Sequence, residues 1–302
     1  MDASVRLRSR NAVAWALCLL MPVVAWAQEA APSTSAPSLR QRYATLQPAL
    51  ERSPFRGPVH LASVEGDRTL LGDVHAIISQ PFGVISGALA QPEQWCEVLI
   101  LHLNTKYCRV AGDSPKPQLD LRVGKKFDQP LGAATRVRFG FRTVSSTPDY
   151  LAVELQAPEG PFDTRDYRIL LEATPLDDGR TFIHMGYSFS YGSMSRMAMQ
   201  VYLSTIARDK VGFTVADRQA TGEPPRYIGG MRGAVERNTM RYYLAIDSYL
   251  ASMSLPPAER VETRFRSWFD ATEKFPTQLR EIDRETYLAM KRSEYLRQQT
   301  AK

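Results

Sequence analysis

Little in this sequence announces a chemistry. It has no Gly-x-Ser-x-Gly elbow, no His-Glu-x-x-His pair, no Walker-type phosphate loop and no Gly-x-Gly-x-x-Gly turn. Those absences remove the readily legible hydrolase, zinc-protease, nucleotide and dinucleotide classes. Histidine is scarce: only His60, His75, His102 and His184 occur, none within motif spacing of a catalytic partner. Basic residues are not gathered into a stripe, so a nucleic acid is not an expected partner. No cofactor signature is present. Beyond the first 27 residues no apolar run approaches the roughly 20 residues a membrane-spanning helix needs.

What the N-terminus does have is an export signal in three parts. Arg6, Arg8 and Arg10 precede an apolar run from Ala12 to Val24, and Ala25-Trp26-Ala27 supplies small residues at the cleavage positions. Residues 1–27 are therefore read as a cleavable signal peptide, and the mature protein is expected in an oxidising compartment, the periplasm. Losing Arg6, Arg8, Arg10 and Asp2 lowers the formal charge from +6 to +4. Cys18 leaves with the leader. Two cysteines remain, Cys96 and Cys108, most simply a disulfide in that setting, with a stabilisation of roughly 2–4 kcal/mol in the chain-entropy model. His102 lies midway, so a three-ligand metal set or a Cys–His nucleophile is the alternative. The spacing matches no zinc motif and lacks a fourth ligand, so no metal is assigned.

Residues 28–38 read as a flexible linker by composition. Leu39, Tyr43, Leu46 and Leu50 then recur at helical spacing. Strands are expected at Val59–Val64 and Leu70–Ile78, and a helix at Ser79–Ala90 with Ser79 as N-cap. From Leu119 to Tyr191 the apolar residues alternate with polar ones, as in an antiparallel sheet with one wet and one buried face. Asp177-Asp178-Gly179 suits the last hairpin. Met194, Met197, Val201 and Ile206 suggest a helix, in which Met194, Met197 and Met199 form either a mobile lid or ordinary packing. A long amphipathic helix follows over Gly230–Ser252, and 255–302 reads as a helical extension.

This order resembles the helix-grip fold of the START-like (SRPBCC) superfamily: strands, an inserted helix pair, a long antiparallel run and a long final helix. The resemblance rests on the helix at Ser79–Ala90, the strands from Leu119 to Tyr191 and the helix at Gly230–Ser252. It implies an α+β domain over 39–254, with a curved antiparallel sheet wrapped around that helix and a lipid-like apolar molecule held between them. The residues expected to bind it are Phe139, Phe141, Val153, Arg165, Tyr167, Ile169, Met185, Tyr187 and Phe189.

Arg165 is there because continued alternation in its strand would turn Asp163 and Arg165 inward, to pair or to meet a polar head; the alternative is a solvated loop after Gly160-Pro161. Arg136, Arg138 and Arg142 share one strand face, where they either pair across strands with Glu154 or Asp166 or attract anionic headgroups, leaving a peripheral membrane contact open. Three functions follow: a binding or carrier protein for a hydrophobic small molecule, a cyclase- or hydratase-like enzyme in the same cavity, or an envelope interaction module using the C-terminal helices. The first is preferred, because no catalytic set is visible.

Overall fold

Period-2 patterning places a hydrophobic face on every strand, and the computed structural model, which describes residues 35–112, 116–193, 197, 209–217 and 224–300, assembles those faces into one concave surface. The sheet consists of β1 (Val59–Glu65), β2 (Thr69–Ile78), β3 (Thr105–Ala111), β4 (Gln118–Val123), β5 (Thr135–Thr147), β6 (Tyr150–Glu159), β7 (Thr164–Pro175) and β8 (Thr181–Tyr191). Its order is β1-β2-β8-β7-β6-β5-β4-β3, antiparallel throughout. Two short helices, α2 (Phe82–Leu89) and α3 (Pro92–Leu99), connect β2 to β3. The long helix α4 (Gly230–Ala251) lies in the concavity against β1, β2 and β8. This is an α+β helix-grip architecture. A small hairpin, β9 (Val215–Asp217) and β10 (Arg226–Tyr227), precedes α4.

The grip is close. A Cβ built on Gly72, on the concave side of β2, would stand 2.2 Å from Thr239 Oγ1 of α4, so only glycine lets the helix approach there. At the N-terminal end of α4, buried Glu236 accepts hydrogen bonds from Ser63 Oγ (2.6 Å) and from the backbone amides of Phe213 (2.6 Å) and Thr214 (3.0 Å). That carboxylate ties β1, the helix and the segment entering β9.

The first helix, α1 (Ala36–Glu51), begins three residues inside the stretch read as linker, because Ser35 caps it and Pro37 fits its first turn. Residues 1–34 lie outside the description, and so does the signal-peptide reading. Pro81, not Ser79, is the N-cap of α2; Gln80 and Pro81 lengthen the connection by two residues. The helix read from Met194 to Ala207 lies outside the described residues; Met197, which is described, is exposed.

On the convex face α1 packs Leu39 and Leu50 against Tyr150, Ala152 and Phe182. Beside it runs a register row of three histidines, His60, His75 and His184. His184 stands between two carboxylates, with Nε2 2.8 Å from Asp73 and Nδ1 2.8 Å from Glu172. Burial opposes its charge, but the two carboxylates outweigh that cost and push its pKa up to about 9. Farther along this face Arg142 and Arg168 share Glu154, and Arg136 grips Asp120. Cross-strand pairing with Glu154 is therefore present, whereas Asp166, held at φ 52° in a bulge, takes no part in it.

Beyond α4 come α5 (Pro257–Glu273), α6 (Pro276–Leu279) and α7 (Arg284–Thr300). Phe265, Trp268, Leu279 and Tyr287 join the same apolar core as the concave face. Polar fastenings reinforce them. Lys106 on β3 and Lys291 on α7 are fully buried and both bond Glu294, at 2.9 and 2.7 Å. Lys291 also donates to the carbonyls of His102 and Thr105. Cys96 of α3 and Cys108 of β3 form a disulfide with Cα atoms 5.2 Å apart; the pairing replaces the metal and nucleophile alternatives at these two residues.

Two predictions follow. Glu294→Ala strands two buried ammonium groups and should cost about 3–5 kcal/mol in urea unfolding; a loss under about 1 kcal/mol would show that the pair does not fasten α7. A raised folded pKa means that the His184 contribution is complete below the unfolded value of about 6.5 and is lost as pH rises through about 9. The stability gap between wild type and His184→Gln should accordingly narrow across that window; a gap independent of pH would contradict the assignment.

Candidate functional site

The concave face is most aromatic near one edge of the sheet. Antiparallel register brings the β1–β2 turn, the β4–β5 loop, the β6–β7 loop, the end of β8 and the start of β3 to that edge. Just inside it, Tyr167 stacks on Phe189 with ring centroids 5.2 Å apart, and Tyr187 lies 5.8 Å from Phe189 and 6.3 Å from Tyr167. Phe139 meets Tyr167 edge-on at 6.4 Å. From α4, Tyr242 approaches Tyr187 at 5.2 Å and carries His102 stacked on it at 4.7 Å. The close packing of Tyr167 has a backbone requirement: a Cβ on Gly160 would fall 2.2 Å from its ring.

Of the residues expected to bind a ligand, Phe139, Tyr167, Tyr187 and Phe189 form this cluster. Phe141, Val153, Ile169 and Met185 lie on the same concave face and are buried in the core. Arg165 stands apart. Its side chain is 61% exposed and bonds Asp163 at 3.1 Å, because the strand starts at Thr164 and the bulge between Arg165 and Arg168 shifts the alternation. The charged pair is therefore in solvent, and the inward projection of Arg165 is corrected.

Tyr242 and His102 belong to the cluster and were absent from the expected set. Tyr242 was legible only as part of the apolar stripe of α4. His102 was masked by its place between two cysteines, which suggested metal chemistry. No group of three or more metal-ligating side chains occurs among the described residues.

The electrostatics favour hydrogen bonding over proton transfer. Burial pushes the Tyr187 phenol well above its ordinary range, with Tyr167 and Tyr242 adding to the effect; burial raises Tyr167 and Tyr242 as well. Burial pushes His102 down, and Arg241, Lys291, Lys126 and Lys106 push it the same way. His102 Nδ1 accepts the Asn104 amide at 3.2 Å, which leaves the proton on Nε2. Each of these groups is thus neutral near pH 7; Tyr187, Tyr242 and His102 offer a donor, whereas the Tyr167 proton is donated to Thr164, whose own hydroxyl donates to the Pro161 carbonyl. Tyr167 shares a hydrogen bond with Thr164 Oγ1 at 2.7 Å. The hydroxyls of Tyr187 and Tyr242 make none among the described residues. An apolar wall bearing a few uncommitted polar groups is the usual construction of a small-molecule site.

No protein-family profile matches the chain, and no curated protein does. Similar solved structures include the solution NMR structure of a protein from Arthrobacter aurescens, 12% identical, covering 64% of this chain and 92% of its own, with a TM-score of 0.31. A conserved protein of unknown function from Enterococcus faecalis is 9% identical and covers 84% and 98%, with a TM-score of 0.31. Human StAR-related lipid transfer protein 5 is 9% identical and covers 57% and 89%, with a TM-score of 0.29. At such distances the strand order of this chain, not the likeness, defines its fold.

Because the Tyr187 and Tyr242 hydroxyls have no partner among the described residues, removing them should not weaken the empty protein. Tyr187→Phe and Tyr242→Phe are each expected within about 1 kcal/mol of wild type in urea unfolding, or above it. A loss beyond about 2 kcal/mol would mean that the hydroxyls are structural.

Proposed function

We propose that the mature chain is a periplasmic binding or carrier protein for a hydrophobic, lipid-like molecule, held against the concave aromatic cluster beneath α4. The observation that carries this reading is the coincidence of that cluster with an apolar rim. At the same edge of the sheet the loops expose Phe162 (84%) between β6 and β7 and Phe127 (54%) between β4 and β5. Val64 at the end of β1 and Val215 of β9 are also exposed. Large side chains do not usually gather in water without a partner. Phe162 and Asp163 both take positive φ, 58° each, a conformation that costs roughly 1–3 kcal/mol per non-glycine residue and collects at functional segments.

The neighbouring convex face supplies cations. Lys125 sits 5.4 Å over the Phe127 ring, and Arg122, Arg136 and Arg138 occupy the adjoining ends of β4 and β5. An apolar rim beside basic side chains suits transient contact with an anionic bilayer, each charge near the surface contributing on the order of 1 kcal/mol. In this reading the rim touches membrane and the aromatic cluster receives the apolar molecule. The neutral phenols and imidazole support binding rather than turnover. The N-terminal charge pattern and the disulfide agree with export.

The test has two parts. Mass spectrometry of a solvent extract from the mature protein, purified from periplasm without detergent, should find an apolar molecule at a substantial fraction of one per chain. Phe127→Ser with Phe162→Ser should reduce flotation with anionic vesicles by at least about tenfold, while leaving the fold unchanged by circular dichroism. An empty protein whose flotation does not respond to these substitutions would remove the proposal.

A further inference from the structure

A cavity of about 250 Å³ lies on the side of α4 away from Tyr242, between its C-terminal half, the segment 55–59, the end of β2 and the end of α5 with Lys274 and Phe275. That volume lies below the roughly 300–1,000 Å³ of drug-sized ligand sites. It shares no lining residue with the aromatic cluster. Phe55 and Phe275, with rings 6.1 Å apart, and Tyr243 of α4 provide aromatic wall.

Its charges are arranged by depth. Asp247 of α4 is half-buried and holds no hydrogen bond or ion pair among the described residues. Burial pushes its carboxyl up, and Lys274 draws it partly back. Arg56 and Lys274 line the same cavity but are exposed, and neither holds a carboxylate among the described residues. Arg56 takes a left-handed conformation, φ 55°, which is costly for a side-chain-bearing residue. A half-buried carboxylate in a cavity that also has aromatic wall favours a cation, because both the charge and ring faces attract one. Cations at an exposed mouth favour an anion.

We infer that this cavity binds a small zwitterion, its ammonium on Asp247 between the aromatic rings and its carboxylate toward Arg56 and Lys274. The site is independent of the carrier reading, and each can fail without the other. Neither charge alone satisfies it: a simple alkylamine would bring its cation past Arg56 and Lys274 without compensation, and a simple carboxylate would face Asp247.

Isothermal titration of the mature chain at neutral pH with γ-aminobutyrate, ε-aminocaproate, hexylamine and hexanoate tests the charge pattern directly. At least one amino acid should bind, and at least about tenfold more tightly than hexylamine or hexanoate. Asp247→Asn, which preserves shape, should weaken it at least tenfold, Lys274→Ala should weaken it less, and Tyr187→Phe should leave it unchanged. Failure of both amino acids to bind, equal binding by hexanoate, or undiminished binding to a folded Asp247→Asn variant would each overturn the inference.

Discussion

The close approach of α4 to the sheet governs the rest of the molecule. With Gly72 facing Thr239, the helix sits down on β1, β2 and β8, the half of the sheet nearest its first edge. One helix cannot cover eight strands. The remaining concave face must find other cover, and α2, α3 and the C-terminal helices supply much of it through Trp95, Phe265, Trp268 and Tyr287. Toward the loop rim, where Tyr242 of α4 meets Tyr187 of β8, two phenol hydroxyls find no partner among the described residues.

The same reasoning gives the C-terminal helices their place. They close the far end of the core, and Glu294 bonds two buried lysines there, one with each carboxylate oxygen. Buried ion pairs are weak evidence of net stability but strong evidence of a fixed arrangement, since breaking one leaves an uncompensated charge. Lys291 adds bonds to the carbonyls at the entry to β3, which couples α7 to the loop carrying His102. The sequence left open whether these helices pack on their own domain or on a partner. Their apolar faces are turned onto their own domain.

Much of the architecture was legible in the sequence because it depends on period. Alternation located β4 to β8, the spacing of Val235, Tyr242, Ile246 and Leu250 located α4, and Asp177-Asp178-Gly179 located a turn with Gly179 at φ 80°. Strand β3 escaped because Thr105–Ala111 carries buried residues at successive positions, including Lys106. Arg165 was misplaced because a bulge breaks the period at that point. Four of the expected binding residues fall in the aromatic cluster and four deeper in the core, since alternation identifies a face but not a location along it. The partners of His184 could not be read at all: Asp73 and Glu172 reach it from adjacent strands, across sequence separations no local pattern records. The exposure of Phe127 and Phe162 was equally hidden, because an aromatic in a loop looks the same in sequence whether it packs or protrudes.

The proposed role requires that the concave cluster, rather than the exposed rim alone, receive an apolar molecule. Isotope-filtered nuclear Overhauser measurements on the mature chain with a carbon-13-labelled fatty acid address it most directly. Contacts from the labelled chain to the rings of Tyr167, Tyr187, Phe189 and Tyr242 are expected. Contacts confined to Phe127 and Phe162, or none, would contradict it.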